Sequence, residues 1–283
     1  MMELTTLIEV DTLRSHPERD KIVILDCRFD LTDPLAGKRA FPAGHIPGAQ
    51  YANLNLDLSS AVTAASGRHP LPDAQVFARR AGSWGIGDET TTVLYDESNG
   101  SIAARAWWLL RWIGATRVAV LNGGLAAWRN AGAELETGEG RPREPKRFTA
   151  RVQTNFFLTT NEVIGALADP SRLLVDARAQ ARFAGETEPI DPVAGHVPGA
   201  ENFPFTQNLG ADGRFLPPEE LRKRWSGLLR GRKAVALINM CGSGVTACHN
   251  LLALEIAGFS GAQLYPGSWS EWIRDPARPV AAN

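Results

Sequence analysis

Short apolar runs alternate with amphipathic stretches along the whole chain. In the second half, residues 173–175, 234–240 and 262–265 are apolar or β-branched runs of strand length, whereas 218–229 and 245–257 carry helical spacing. Val245, Cys248, Leu252 and Ile256 fall three and four positions apart, on one face of the second helix, and Gly258 stands where its C-cap is wanted. The first half follows the same order, with a strand at 91–95, a helix at 103–113 and a strand at 117–121. Strands that alternate with helices imply a parallel sheet covered on both faces, so the predicted class is α/β.

The pattern also repeats. PAGHIPGA at 42–49 returns as VAGHVPGA at 193–200, and KIVILDCR at 21–28 as SRLLVDAR at 171–178. Further on, GGLAAW at 123–128 answers GSWSEW at 267–272, and Gly114 answers Gly258. Matched landmarks in one order indicate a duplicated domain. Between the halves, 134–148 is rich in charge, glycine and proline without an apolar period, and it reads as an exposed linker. The expected organisation is a domain over 1–135, a linker over 136–153 and a second domain over 154–283. A length of 283 residues suits two domains, each with its own core.

Charge narrows the function. Thirty Lys and Arg against thirty-one Asp and Glu give a net charge of −1, so no surplus of cations exists to coat a nucleic acid. Three cysteines, Cys27, Cys241 and Cys248, with no CxxC pair, argue against a disulfide framework and a structural zinc site. The first twenty residues hold acidic side chains and no signal-type apolar core, and no later run approaches the ~18–20 apolar residues of a membrane span. The expectation is a soluble cytoplasmic protein with neither a nucleic-acid nor a membrane partner.

The richest segment is AVALINM followed by CGSGVTACHNLLALEIAG: a buried-type strand, a glycine-rich turn that begins at Cys241, then a helix. The carboxyl end of a strand in an open parallel sheet is where ligands bind. Turn amides and the positive helix end favour a thiolate there, which makes Cys241 a candidate nucleophile. Three chemistries compete for the turn. A dinucleotide fingerprint, Gly242 to Ala247, wants an acidic residue about 20 positions on, where Gln263, Leu264 and Tyr265 stand instead. A C-x5-R phosphatase needs arginine where Ala247 stands. A thiolate whose product is itself a sulfur anion, cradled by amides and hydroxyls, needs no arginine in the loop.

On these residues the chain resembles the two-domain sulfurtransferases of the rhodanese superfamily, through both GH-x-PGA motifs, both strand-Asp-x-Arg motifs, the cysteine loop and the closing GSWSEW. The loop CGSGVTA is similar to that of 3-mercaptopyruvate sulfurtransferases rather than to the basic CRKGVTA of thiosulfate sulfurtransferases. The resemblance implies two tandem rhodanese-like domains, each a parallel sheet flanked by helices. It implies a Cys241 persulfide that carries sulfur from 3-mercaptopyruvate or thiosulfate to a thiol, a protein thiol or cyanide, without metal or organic cofactor. It further implies that Gly242, Gly244, Val245 and Thr246 hold the outer sulfur, that Ser243 acts with His69 in proton transfer, and that Arg182 binds the donor's anionic end. For the aspartate that completes such a set, YANLNLDLSS offers Asn55 at the aligned position and Asp57 two further along.

Where such enzymes carry a second arginine, nine residues after Arg182, this chain has Asp191, and loss of that cation is expected to weaken carboxylate recognition by about 1–3 kcal/mol. That substitution keeps a second function open, a persulfide carrier loaded by a partner protein. In the first half, Asp96 occupies the cysteine position, so that copy is expected to be non-catalytic, a scaffold that packs Trp107, Trp108 and Trp112 and lends His69. Structural roles are expected for His45 and His196 in their turns, for Asp26 and Asp176 beside arginines, and for Cys27 and Cys248 as buried thiols. His249 reads as a surface residue.

Overall fold

The computed structural model describes residues 4–282 and resolves into two compact units. The first comprises residues up to Ser60, Leu71–Gln153 and Ala211–Arg214; the second comprises Ala61–Pro70, Thr154–Gly210 and residues from Phe215 onward.

In the first unit, strands β1 (Leu7–Ile8), β2 (Val23–Asp26), β3 (Ala49–Tyr51), β4 (Thr92–Tyr95) and β5 (Val118–Leu121) form one parallel sheet in the order β1-β5-β4-β2-β3. The helices are α1 (Val10–Arg14), α2 (Ala36–Ala40), α3 (Ala74–Ser83), α4 (Ala103–Trp112) and α5 (Gly124–Asn130). All residues of β2, β4 and β5 are buried, as strands covered on both faces must be. Asp26 pairs with Tyr95 in register, so both strands end at one level, and the next residue after β4 is Asp96. Trp107, Trp108 and Trp112 on α4 are buried, the last two stacked with centroids 5.9 Å apart.

The charged segment expected as a linker is an irregular strap on this unit. Glu136 exchanges backbone hydrogen bonds with His45, the amide of Lys146 donates to Gly82, and Arg151 and Gln153 donate to Ile113 and Trp112. Arg143 adds bonds to the carbonyls of Asp20 and Ile22.

The second unit has strands β6 (Leu173–Asp176), β7 (Glu201–Asn202), β8 (Leu237–Met240) and β9 (Gln263–Leu264), all parallel, in the order β7-β6-β8-β9. Its helices are α6 (Thr160–Ala166), α7 (Gln180–Ala184), α8 (Pro218–Leu229), α9 (Thr246–Ile256) and α10 (Ser268–Trp272). Helix α8 starts with Pro218 followed by Glu219 and Glu220, the preferred chemistry of a helix amino end. The run 234–240 is shorter as a strand than its composition suggests, because 234–236 form a 3-10 turn before β8.

Helix α9 departs from the expected one-sided burial. It packs against β8, α8 and the 3-10 turn at 205–208, and Ala247 through Leu254 are all buried. His249 is therefore not at the surface. Its ring stacks on Phe215 at 4.3 Å, and its Nδ1 lies 3.3 Å from the side-chain nitrogen of Asn208. Asn208 in turn donates to Asn250 and accepts from the indole of Trp225, so polar side chains on this helix satisfy one another inside the core.

The repeated motifs have the same local build in both units. His45 and His196 stack on Phe41 and Phe183 at 3.9 and 3.8 Å, each donating from Nδ1 to that phenylalanine's carbonyl. Asp26 and Asp176 are fully buried and bind the guanidinium groups of Arg28 and Arg178, which also donate to Gly44 and Gly195 in the turns. The strand-Asp-x-Arg motif thus ties the end of a central strand to the GH-x-PGA turn. No helix among the described residues is long and apolar enough to cross a membrane.

Candidate active site

Cys241 is the first residue after β8 and is 2 % exposed. Its amide donates to Ser268 Oγ at 3.0 Å, and its carbonyl accepts from the Trp269 amide at 2.9 Å. The Gly242 carbonyl accepts from the amide of Ser270, so GSWSEW backs the cysteine turn from behind. Ser268 holds this post at a φ of 53°, with its hydroxyl donated to the carbonyl of Tyr265. Gly244 must be glycine: its φ is +74°, and a Cβ there would stand 2.5 Å from the carbonyl oxygen of Pro266. Val245 precedes the first turn of α9 and Thr246 opens it, which puts the positive end of a buried helix against the turn. The Cys248 thiol, one turn into the helix, donates to the Gly244 carbonyl at 3.3 Å.

Ser243 and His69 meet. Both are buried, and His69 Nδ1 lies 2.7 Å from Ser243 Oγ. The segment that brings His69 is fixed on α10: the Arg68 amide donates to Ser270 Oγ, Arg274 donates to the Ser66 carbonyl, and a Cβ on Gly67 would stand 2.6 Å from the Gly267 carbonyl. Asp57 has other partners; its carboxylate accepts from the Asn53 amide and pairs with Arg80. Asn55 donates its amide to Asn53.

Arg182, expected to meet the donor's charge, is held by two carboxylates. Glu188, six residues on, accepts from Arg182 Nη2 at 2.7 Å and Nε at 3.2 Å, and Asp191 accepts from Nη2 at 3.3 Å. Burial pushes the Glu188 carboxyl up, but the Arg182 hydrogen bonds and the amides of Asp191 and Ile190 outweigh it and hold the group below the ordinary glutamate range. Asp191 also pairs with Arg68. A Cβ built on Gly242 would be 3.0 Å from Arg68 Nη2 and 3.6 Å from Arg182 Nη2. Two guanidinium groups, not one, therefore flank the residue next to Cys241. The second comes from a different loop, where it is paired with Asp191.

The rhodanese-like domain family matches residues 9–131 and again 159–275. The chain belongs to the rhodanese family. It is 50 % identical over 282 residues to a Pseudomonas aeruginosa protein named "Probable 3-mercaptopyruvate sulfurtransferase", covering 99 % of both chains. It is 34 % identical over 272 residues to the thiosulfate sulfurtransferase of Cricetulus griseus, covering 93 % of this chain and 89 % of that one. Among solved structures, the 3-mercaptopyruvate sulfotransferase of Escherichia coli is similar with a TM-score of 0.80 and 32 % identity, over 94 % of this chain and 99 % of that one.

The first rhodanese-like repeat gives an internal view of what this turn holds. Asp96, also the first residue after a central strand, is fully buried. Its Oδ1 accepts from the amides of Ser98 and Gly100, and its Oδ2 from those of Ile102 and Ala103, all at 2.8–2.9 Å. Burial holds its carboxyl above the ordinary aspartate range, and the four amides offset that push only in part. The turn between strand and helix thus wraps an acceptor of negative charge in backbone N–H groups. In the second repeat the same place in the fold belongs to Cys241.

Of the residues expected at the site, Cys241, Ser243, His69 and Arg182 converge with Gly242, Gly244, Val245 and Thr246 around one turn. The sequence reading missed Arg68, Glu188 and Ser268. The adjacency of Arg68 to His69 in GRHPLP was a usable cue, because a histidine delivered to the cysteine turn brings its neighbour along. Cys27 is a plain core thiol. Burial, then the charges of Asp96, Asp26 and Asp57, push it well above the ordinary thiol range.

Proposed function

We propose that this rhodanese-family protein transfers sulfane sulfur from 3-mercaptopyruvate, and secondarily from thiosulfate, to a thiol or cyanide acceptor through a persulfide on Cys241. The names of its relatives support that reaction class. The observation that carries the mercaptopyruvate reading is the buried Ser243–His69 pair, at 2.7 Å, two residues from the nucleophile.

The Cys241 thiolate attacks the donor's sulfur, forming the S–S bond while the C–S bond breaks with its electron pair going to carbon. Each of the two sulfurs is oxidised by one electron and the carbon is reduced by two. The resulting enolate of pyruvate takes a proton, for which Ser243 backed by His69 is the relay, and leaves as pyruvate. The persulfide loses its own proton and rests as a sulfur anion among the turn amides and the start of α9, as the Asp96 carboxylate rests in the other repeat. An acceptor thiolate or cyanide then attacks the outer sulfur, breaks the S–S bond and returns Cys241 as thiolate. Small molecules or a protein thiol fit the acceptor role, and a reducing compartment such as the cytoplasm suits three cysteines that form no disulfide. The alternative, a carrier loaded by a partner protein, draws on the absence of a second donor-binding cation; the position of Arg68 beside Arg182 favours the enzyme reading over it.

Intact-protein mass after incubation with 3-mercaptopyruvate tests the reading. One added sulfur, about 32 Da, is expected on the wild type and none on Cys241→Ser. No gain with either small donor, together with loading by a sulfur-donating protein, would establish the carrier instead.

A further inference from the structure

Two guanidinium groups approach one point of the cysteine turn from two different segments. A Cβ on Gly242 would lie 3.0 Å from Arg68 Nη2, 3.6 Å from Arg182 Nη2 and 3.7 Å from Arg182 Nη1. Asp191 joins the two cations: its Oδ2 accepts from Arg182 Nη2 at 3.3 Å, and its Oδ1 pairs with Arg68 Nη1. The Asp191 side chain is 4 % exposed and its amide donates to Glu188 Oε1, so the bridging carboxylate is itself fixed. Arg68 is fixed at its root as well, by its amide on Ser270 Oγ and by Gly67, which has no room for a side chain against Gly267. Its own side chain keeps 27 % exposure, enough for a ligand to reach it.

With Nη1 held by Asp191, Nη2 is the edge that Arg68 turns to the turn; Arg182 is held through Nε and Nη2 by Glu188 and Asp191 and brings its Nη1 to 3.7 Å from the same point. Paired planar cations next to the nucleophile suit a carboxylate with two oxygens. Asp191 stands where a second arginine would extend the 182–191 turn, and its charge instead holds an arginine from the 61–70 segment in that neighbourhood.

We propose that Arg68 is a donor-specificity residue, which with Arg182 grips the carboxylate of an α-keto thiol donor, and that Asp191 is the positioning residue for both. The proposal rests on the mercaptopyruvate reading above. It makes donor selection a property of the segment that also delivers His69.

The test compares full-length wild type, Arg68→Ala and Arg68→Lys with two donors, 3-mercaptopyruvate and mercaptoacetone, which lacks the carboxylate. Loss of one charge-assisted contact is expected to raise KM for mercaptopyruvate about 10- to 100-fold with kcat changed far less. The preference for mercaptopyruvate over mercaptoacetone, as a ratio of kcat/KM, should fall by the same factor in Arg68→Ala. Lysine should recover only part of it, because a point charge lacks the planar edge. A preference ratio unchanged in Arg68→Ala would overturn the assignment, as would equal losses with both donors, the mark of a merely structural arginine. Mass measurement of the wild type keeps the two failures apart: sulfur loaded on Cys241 from mercaptopyruvate with an unchanged ratio sinks only the role of Arg68, whereas no loading sinks the donor reading beneath it.

Discussion

Ser243→Ala separates the two donors by the chemistry of what leaves. Sulfur removal from 3-mercaptopyruvate breaks a C–S bond and leaves an enolate that needs a proton, whereas removal from thiosulfate breaks an S–S bond and leaves sulfite, a stable anion. The Ser243 Oγ to His69 Nδ1 contact of 2.7 Å joins groups that are 5 % and 3 % exposed, so the proposed relay would work shielded from bulk water. Positioned proton transfer contributes on the order of 10²- to 10⁴-fold, so kcat with mercaptopyruvate should fall by that range, equivalent to about 3–5 kcal/mol of barrier. With thiosulfate the loss should stay within about tenfold, the worth of one neutral hydrogen bond that orients the turn. Pyruvate formation, followed by coupled reduction, reads the first reaction, and thiocyanate formed from cyanide reads both. An equal fall with both donors, or a larger one with thiosulfate, would refute the relay and leave Ser243 as a turn residue.

Two further outcomes follow from buried carboxylates. Asp96→Asn keeps the shape but turns an NH2 group toward two of the four amides, so unfolding in urea, followed by tryptophan fluorescence, should show a loss of about 2–4 kcal/mol; unchanged stability would mean the turn does not demand an anion. Glu188 is held below the ordinary glutamate range despite its burial, so its contribution to stability is present above that range and is lost as pH falls through the lower folded-state value. Glu188→Gln should flatten that acid-side decline, and an identical acid profile would count against the Arg182 pairing.

The architecture was legible because it is written in local and repeated terms. Helix 218–229 matches its periodicity residue for residue, both GH-x-PGA turns recur with the same histidine–phenylalanine stack, and the strand, turn and helix around Cys241 follow in chain order. What was not legible depends on partners remote in sequence. His249 looks like a surface residue until Asn208, forty-one positions away, and Phe215 surround it. Asp191 reads as a lost cation because its partner, Arg68, is 123 residues distant. The segment 134–148 looks like a linker by composition, yet partners remote in sequence, at Gly82, the His45 turn, Asp20 and Ile22, hold it down.

The segment 61–70 belongs by sequence to the first repeat and by packing to the second unit. Under the proposal for Arg68, the repeat that carries Asp96 in place of a cysteine supplies the donor choice of the other. Halves exchanged between relatives across the strap would then separate reactivity from taste: the hybrid would take its sulfur chemistry from the parent of the second half and its appetite for carboxylate donors from the parent of the first.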